Sequence, residues 1–523
     1  MKKNASTPRR PRVLAAALAA AAALVCGTGS ALAAPAAQSA PGAGSLTPEA
    51  VDRYVRDYLE DTALPGAVVA VTRGDRVVSV AGYGHTAAGR ALTARTPVPV
   101  ASLSKSMTAL AVMQLVDAGE VGLDRPVRQY LPDFTLADPR AERITVRQLL
   151  NQTSGMADSA HPDLVGPQPG TLTEAVAALR GVELASAPGT RMNYHNTNYA
   201  VAARLVEAVS GKPFAAHMAE RVFQPLGMTG ATTVDSTADM PEQARGYVRA
   251  YGRLIERDQP RWFTAGGFGV VASADDLARW LIAQNNGGAT ADGRRVVSAR
   301  GVTTMHTPPR TPEGTSYAMG WTRSSEGAGP REIRHTGQLL THNAAQTLLP
   351  DSRTGIAVVT NTGMVSGDDA TLLAQGLADL ARGRAPDGGT PFTLQADYVL
   401  AALTLLSLGL GATGVVRSRR WARRAAARPW WRTALRTLPY TFPVAAFLLL
   451  GDLAGLLTRR GADLGMISYV WPALFVWLGV SAAASAAVLA ARAVRTVRDR
   501  RVTPEVIEGP VEPAYRSGVV AAR

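Results

Sequence analysis

Cysteine is all but missing from this chain of 523 residues: there is one, Cys26, and it lies among the first 33 residues. Without that leader the chain holds no disulfide, no thiol nucleophile and no thiolate metal site. A segment this long can still fold after export, since a large core needs no covalent staples. Lysine is nearly as scarce. It stands only at positions 2, 3, 105 and 212, and arginine supplies the rest of the 55 basic residues. A lysine kept in such a chain invites a reason, because its ammonium can give up a proton near neutral pH and a guanidinium cannot.

The formal charge of +14 has no basic nucleic-acid face behind it. About +5 sits in the first twelve residues, about +12 in residues 417–501, and residues 34–391 carry about −1. The charge follows the pattern of a membrane protein's cytoplasmic ends. Residues 13–25 form a short apolar run after a basic start, and Ala31-Leu32-Ala33 supplies a signal-peptidase site, so 1–33 is read as a signal peptide cleaved before Ala34. An uncleaved anchor and a lipid attachment through Cys26 are the weaker readings.

Residues 34–46 read as a linker, 47–383 as the main domain and 384–396 as a second linker. Residues 397–501 are expected to form three membrane spans, at 398–416, 438–457 and 467–491, each near the ~20 residues a crossing helix needs. The loop 417–436 holds eight arginines and no acid, which places it and the tail 502–523 in the cytoplasm and the main domain outside. Asp452, inside the second span, is expected to make a hydrogen bond between helices.

Within the main domain, residues 47–62 read as a helix capped by Thr47. Ala67–Thr72 and Arg76–Ala81 read as a hairpin, and Ala345–Leu349 with Ile356–Asn361 as another, before a helix near 369–382. An antiparallel sheet built from both chain ends, with a helical region inserted between them, is the expected architecture. Ser102–Ala118 is apolar nearly all round and reads as one core helix.

That core helix carries Lys105, three residues from Ser102, so the two side chains share a face. A serine hydroxyl is a weak nucleophile that needs a base beside it. A lysine becomes a base when an apolar setting lowers its pKa. Tyr194-His195-Asn196 offers a hydroxyl able to relay a proton and an amide able to hold a carbonyl or Lys105, with His195 expected to face solvent and Tyr199 the core. His335-Thr336-Gly337 precedes the closing strands, and the amides of Ser102 and Gln338 are candidates for an oxyanion hole. His85, His161, His217, His306 and His342 show no metal-ligand spacing, and no metal or cofactor is expected.

Ser102-x-x-Lys105, Tyr194-x-Asn196 and His335-Thr336-Gly337, in this order, resemble the class C β-lactamase-related serine hydrolases, which include penicillin-recognising D-alanyl-D-alanine carboxypeptidases, D-aminopeptidases and esterases. LLNQTSGM at 149–156, FQPLGMT at 223–229, TAGGFGVVASADDLARW at 264–280, YAMGW at 317–321 and LLPDSRTGIAVVTN at 348–361 match as well. The resemblance implies an α/β, β-lactamase/transpeptidase-like fold with a mixed sheet flanked by helices. It implies that Ser102 is acylated, Lys105 is its base, Tyr194 relays protons, Asn196 contacts substrate, and His335 and Thr336 line the sheet side, with Gly337 and Gln338 beside them. Two departures stand out. Asn151-Gln152 replaces the histidine usual before Thr-Ser-Gly, and His335 stands where lactamases of this class carry lysine. A partly charged histidine there would hold a substrate carboxylate weakly and favour neutral esters or peptides.

The expected function is therefore an extracytoplasmic, membrane-anchored serine hydrolase acting on a small ester or peptide, cell-wall peptides among them, with membrane lipid around its helices and no nucleic-acid partner. A D-alanyl-D-alanine carboxypeptidase, and a penicillin- or peptide-binding membrane sensor with little turnover, are the alternatives.

Overall fold

The computed structural model describes residues 46–502 apart from 325–330, 366–367, 388 and 427, so the expected signal peptide and the tail from 503 lie outside the described residues. Helix α1 (Pro48–Thr62) opens the domain, and the Thr47 hydroxyl accepts from the Ala50 amide at its first turn. Strands β1 (Gly66–Arg73) and β2 (Arg76–Gly84) form the expected hairpin. They join β5 (Thr322–Arg323), β6 (Ile333–Gln338), β7 (Asn343–Leu349) and β8 (Thr354–Thr360), which come from the other end of the domain. The spatial order is β2-β1-β8-β7-β6-β5 and every ladder is antiparallel, as expected of a sheet built from both chain ends and unlike the mixed sheet that the resemblance implied. Closing strand next to opening strand puts both termini of the domain at its centre.

Strand β1 is buried on both faces, as a run of Val and Ala predicts for a sheet covered on two sides. Val69 and Val71 pack with Val51 and Val55 of α1 and Leu373 and Leu377 of α5 (Asp369–Ala381). Val68 and Ala70 point the other way, toward α2 (Ser104–Asp117), α3 (Thr197–Ser210) and α4 (Ala274–Asn285). The site lies on this second side, where α2 meets the sheet. A two-stranded ribbon, β3 (Gly246–Ala250) with β4 (Arg253–Arg257), projects toward the C-terminal helices.

Two of those helices are long and apolar enough to cross a membrane: α6 (Phe392–Val416), and the Pro472–Arg498 part of α11 (Pro472–Val502). Helix α6 starts inside the segment expected to be a linker. The second expected span is a bent pair, α8 (Trp430–Leu448) and α9 (Leu450–Thr458), which turn by 63° where Leu449 leaves helical geometry. Asp452, just past that break, is exposed and makes none of the helix-packing hydrogen bonds expected of it among the described residues. The third expected span starts late. Residues 464–470 form a separate short helix, α10 (Leu464–Val470), because Pro472 sets a new helix start. Much of the arginine loop is itself helical, as α7 (Ser418–Ala426).

Helices α6 and α11 run side by side in the same direction. Gly411 and Gly414 face Ala484 and Val488 so closely that a Cβ on either glycine would come within 2.7 Å of them. At their first ends Asp397 accepts from Trp471 Nε1 and from the Tyr251 amide at the tip of the β3–β4 ribbon. At their far ends Arg495 donates to the Val415 carbonyl, next to the arginines of α7. The main domain and the arginine-rich end thus occupy opposite ends of these helices.

Candidate active site

Ser102 does not begin the helix, as the sequence pattern suggested. It sits in a tight 3-10 turn, Ala101–Leu103, ahead of α2. Ala101 has φ +49°, a left-handed conformation that costs a non-glycine residue about 1 kcal/mol or more. Ser104 holds the turn: its hydroxyl donates to the Ala101 carbonyl at 2.6 Å and accepts from the Val270 amide at 3.0 Å. The result presents the Ser102 side chain, partly open, above the first turn of α2.

Lys105 is fully buried. Its Nζ lies 3.1 Å from Ser102 Oγ, 2.8 Å from Asn196 Oδ1 and 2.9 Å from the Gly267 carbonyl. The rings of Tyr194, Tyr199 and Phe268 stand 4.9, 5.8 and 5.7 Å away. Burial is the largest influence on this amine and holds its pKa well below the usual value. Asp163 opposes that shift, and Arg460 adds to it. A neutral amine has two hydrogens and one lone pair. The two carbonyl oxygens take the hydrogens, which leaves the lone pair for the Ser102 proton.

The Gly267 carbonyl reaches Lys105 because Gly266 lets the chain pass. Gly266 has φ +73°, and a Cβ there would meet the Tyr199 carbonyl at 2.3 Å. Thr108, one turn along α2, donates to the Gly266 carbonyl at 2.7 Å. The run TAGGFG is thus part of the site as well as a family marker.

The Tyr194 hydroxyl group belongs to the surroundings of Ser102, whose hydroxyl acts on its pKa. Burial pushes the Tyr194 pKa up to about 12, and the neighbouring Ser102 partly offsets that. Tyr194 also packs edge-on against Tyr317 and beside His335, with ring centroids 5.8 and 6.2 Å apart. His335 and Gly337 lie on the buried face of β6, and Thr336 and Gln338 alternate outward. A Cβ on Gly337 would meet the Ser102 amide nitrogen at 2.9 Å and the Val100 carbonyl at 2.8 Å, so glycine lets this strand lie against the serine turn. The side chains of Thr336 and Gln338 bond none of Ser102, Lys105, Tyr194 or Asn196 among the described residues.

His335 differs from its sequence reading. Burial first, and Lys105 second, lower its pKa to about 3, so it is neutral rather than partly charged at pH 7. Its Nδ1 lies 2.6 Å from the Thr336 carbonyl and its Nε2 3.3 Å from the Tyr317 hydroxyl. A proton on Nδ1 satisfies the carbonyl and leaves Nε2 to accept from Tyr317.

His195 is buried, not exposed. Its Nε2 lies 2.7 Å from the His161 carbonyl, and 3.5 and 3.6 Å from Asp158 and Asp163. These three side chains have the types and closeness of a metal ligand set, a grouping that spacing alone did not disclose. The Arg460 guanidinium stands against both acids, 3.1 Å from Asp158 and 2.9 Å from Asp163. Gln152, in the position of the family's usual histidine, is buried at φ +59°; its Oε1 accepts from the His195 amide and from Asn198. Asp158, Asp163, Gln152, Gly267, Tyr317 and Arg460 are the site residues that sequence reasoning missed. Gln152 left a signal as a departure from the family pattern, Gly267 and Tyr317 lay within runs that match the family, and Asp158, Asp163 and Arg460 left none.

Residues 51–381 match the family model described as Beta-lactamase. The chain belongs to that family. Among relatives of this beta-lactamase-family chain, Penicillin-binding protein 4 of Amycolatopsis lactamdurans is 30% identical over 346 residues, covering 63% of this chain and 89% of that one. Protein flp of Staphylococcus aureus (strain N315) is 25% identical over 318 residues; the match covers 60% of this chain and 62% of flp. The octameric penicillin-binding protein homologue of Pyrococcus abyssi superposes with a TM-score of 0.56 at 24% identity, over 68% of this chain and 81% of that one, which shows the shared fold. The matched family segment takes in Ser102, Lys105, Tyr194, Asn196 and His335–Gln338. It stops before Arg460 and the C-terminal helices.

Proposed function

We propose that this chain is a membrane-anchored, extracytoplasmic serine hydrolase that carries an acyl group on Ser102 and passes it to water. Ser102 Oγ attacks the carbonyl of an ester or amide, and its proton moves to the Lys105 amine. The backbone amides of Ser102 and Gln338 hold the oxyanion. The tetrahedral adduct collapses, the bond to the leaving group breaks, and Lys105 with Tyr194 returns the proton to that group. Water then attacks the acyl-serine by the same route in reverse order. The observation that carries this reading is the buried amine beside the hydroxyl: two carbonyl acceptors occupy its hydrogens, and its lone pair remains for Ser102.

Neutral His335 offers no fixed cation to a substrate carboxylate, which favours neutral esters and amides over penicillins. The position of the main domain at one end of α6 and α11, with the arginines at the other, supports a domain held outside the membrane under the positive-inside rule. The test uses the full chain in membranes, labelled with a fluorophosphonate and a fluorescent penicillin, wild type beside Ser102→Ala. Fluorophosphonate labelling and steady hydrolysis of a chromogenic ester, both lost in Ser102→Ala, are expected. Labelling of the variant equal to wild type would refute the mechanism, and a single acylation burst without turnover would replace the enzyme with a sensor.

A further inference from the structure

The connection 459–463, between α9 and α10, reaches back into the main domain. Arg459 turns the chain at φ +57°, and Gly461 fits against Pro162 where a Cβ would come within 2.7 Å. Arg460 enters between them. One guanidinium nitrogen donates to the Tyr194 carbonyl at 3.0 Å and stands 3.1 Å from Asp158. The other donates to Asp163 at 2.9 Å. The second Asp163 oxygen accepts from the Asn196 amide at 2.7 Å, and the Gly461 amide donates to Asp158 at 2.9 Å. The backbone on both sides of His195 is therefore tied, directly or through one carboxylate, to a single side chain 266 residues away from Tyr194.

We propose that Arg460 is a positioning residue of the acylation site, holding the Tyr194–Asn196 turn against Ser102 and Lys105, so that the C-terminal helical module completes the hydrolase as well as anchoring it. This rests on the serine-hydrolase reading above. Arg460 touches no reacting atom, and its guanidinium centre lies 6.0 Å from the Tyr194 ring. Its action is mechanical and electrostatic. A planar guanidinium meets two carboxylates at fixed angles, which a lysine ammonium does not. Without it, Asp158 and Asp163 would face each other beside His195 with their charge unmatched, and the turn they hold would shift. Tyr194 and Tyr199 face Lys105 from the turn and α3, Asp163 and Arg460 act on its charge, and Lys105 in turn acts on His335. Asp158, His161 and His195 lie beyond, around Asp163, and Tyr317 lies against His335. Of these, Asp163 favours the protonated amine and Arg460 the neutral one.

The test measures kcat, KM and the pH profile of kcat/KM for ester hydrolysis by the full chain in detergent. Arg460→Gln is expected to lose roughly 10–100-fold in kcat with a smaller change in KM, as a misplaced catalytic group would. Its acid limb should move to higher pH by on the order of one unit, and Asp163→Asn should move that limb to lower pH. Arg460→Lys keeps the charge without the fork, so its limb should stay near wild type while kcat remains depressed. Arg459→Gln, on the exposed neighbour, should match wild type. Wild-type kcat and pH profile in Arg460→Gln would overturn the proposal; if that variant does not fold, the same result in Arg460→Lys would. Fluorophosphonate labelling of Ser102 in the wild type separates the two failures. An unlabelled wild type sinks the hydrolase reading, whereas a labelled one with indifferent Arg460 variants sinks only this inference.

Discussion

Lys105 is the residue on which the proposed chemistry turns. A chain that writes arginine almost everywhere keeps a lysine on an apolar helix, three residues from a serine. What spacing could not show is the bonding around it, since Gly267 is 162 residues away. Lys105→Met removes the lone pair and leaves the apolar stem. Ester hydrolysis should fall by about 10²–10⁴-fold, measured as kcat in protein that still folds, and activity within a few-fold of wild type would exclude Lys105 as the base. In the wild type, kcat/KM should rise with pH as the amine loses its proton, with that limb well below the usual lysine pKa because burial lowers it. His335 argues for substrate in the same way. It was legible as a departure from lysine, but its neutrality was not, because burial is a tertiary property. Replacing it by lysine restores a cation, so His335→Lys should raise the penicillin-to-ester ratio of kcat/KM by roughly tenfold. An unchanged ratio would detach this position from carboxylate recognition.

At the scale of elements, glycines decide how closely the parts of the site meet. Gly337 lets β6 lie on the serine turn, and Gly320, at φ +75°, lies where a Cβ would come within 2.4 Å of the Ser106 amide in α2. Gly337→Ala should cost about 1–3 kcal/mol in a denaturant titration and lower kcat more than it raises KM, because the strand that carries the Gln338 amide must move off Ser102. A variant with unchanged stability and rate would mean that β6 is not packed on the turn as described. The helix around Lys105 and both hairpins followed from periodicity and turn residues, which are local signals. The 3-10 turn at Ser102 did not, because Ala101 is held in its left-handed conformation by Ser104 and by packing from residues near 270. The bent pair α8–α9 hid for a related reason: hydropathy sums over a window and does not register a break at one residue.

For the whole molecule, the buried histidines set an acid limit. Burial lowers His306, His335 and His342 to about 3 each, so from about pH 6.5 downward the unfolded chain takes up protons that the folded chain refuses. Their contribution to stability is whole above about 6.5 and falls as pH drops toward 3, by at most about 1.4 kcal/mol per pH unit for each. Lys105 acts in the same sense, its contribution falling as pH drops below the usual lysine value. The thermal midpoint of the full chain in detergent should therefore decline steadily below pH 6.5, and a flat profile from pH 7 to pH 4 would contradict this burial. The sequence by itself determined whatever depends on neighbours along the chain: the serine and lysine three residues apart, the hairpins at both ends of the domain, the apolar runs and the arginines between them. Only the tertiary structure decided which distant groups close around that pair, among them the Gly267 carbonyl, neutral His335, buried His195 and the Arg460 fork. The reason is physical. Helical and strand periods are properties of a few consecutive residues, whereas burial, and the pKa and charge pairing that follow from it, belong to the packed whole.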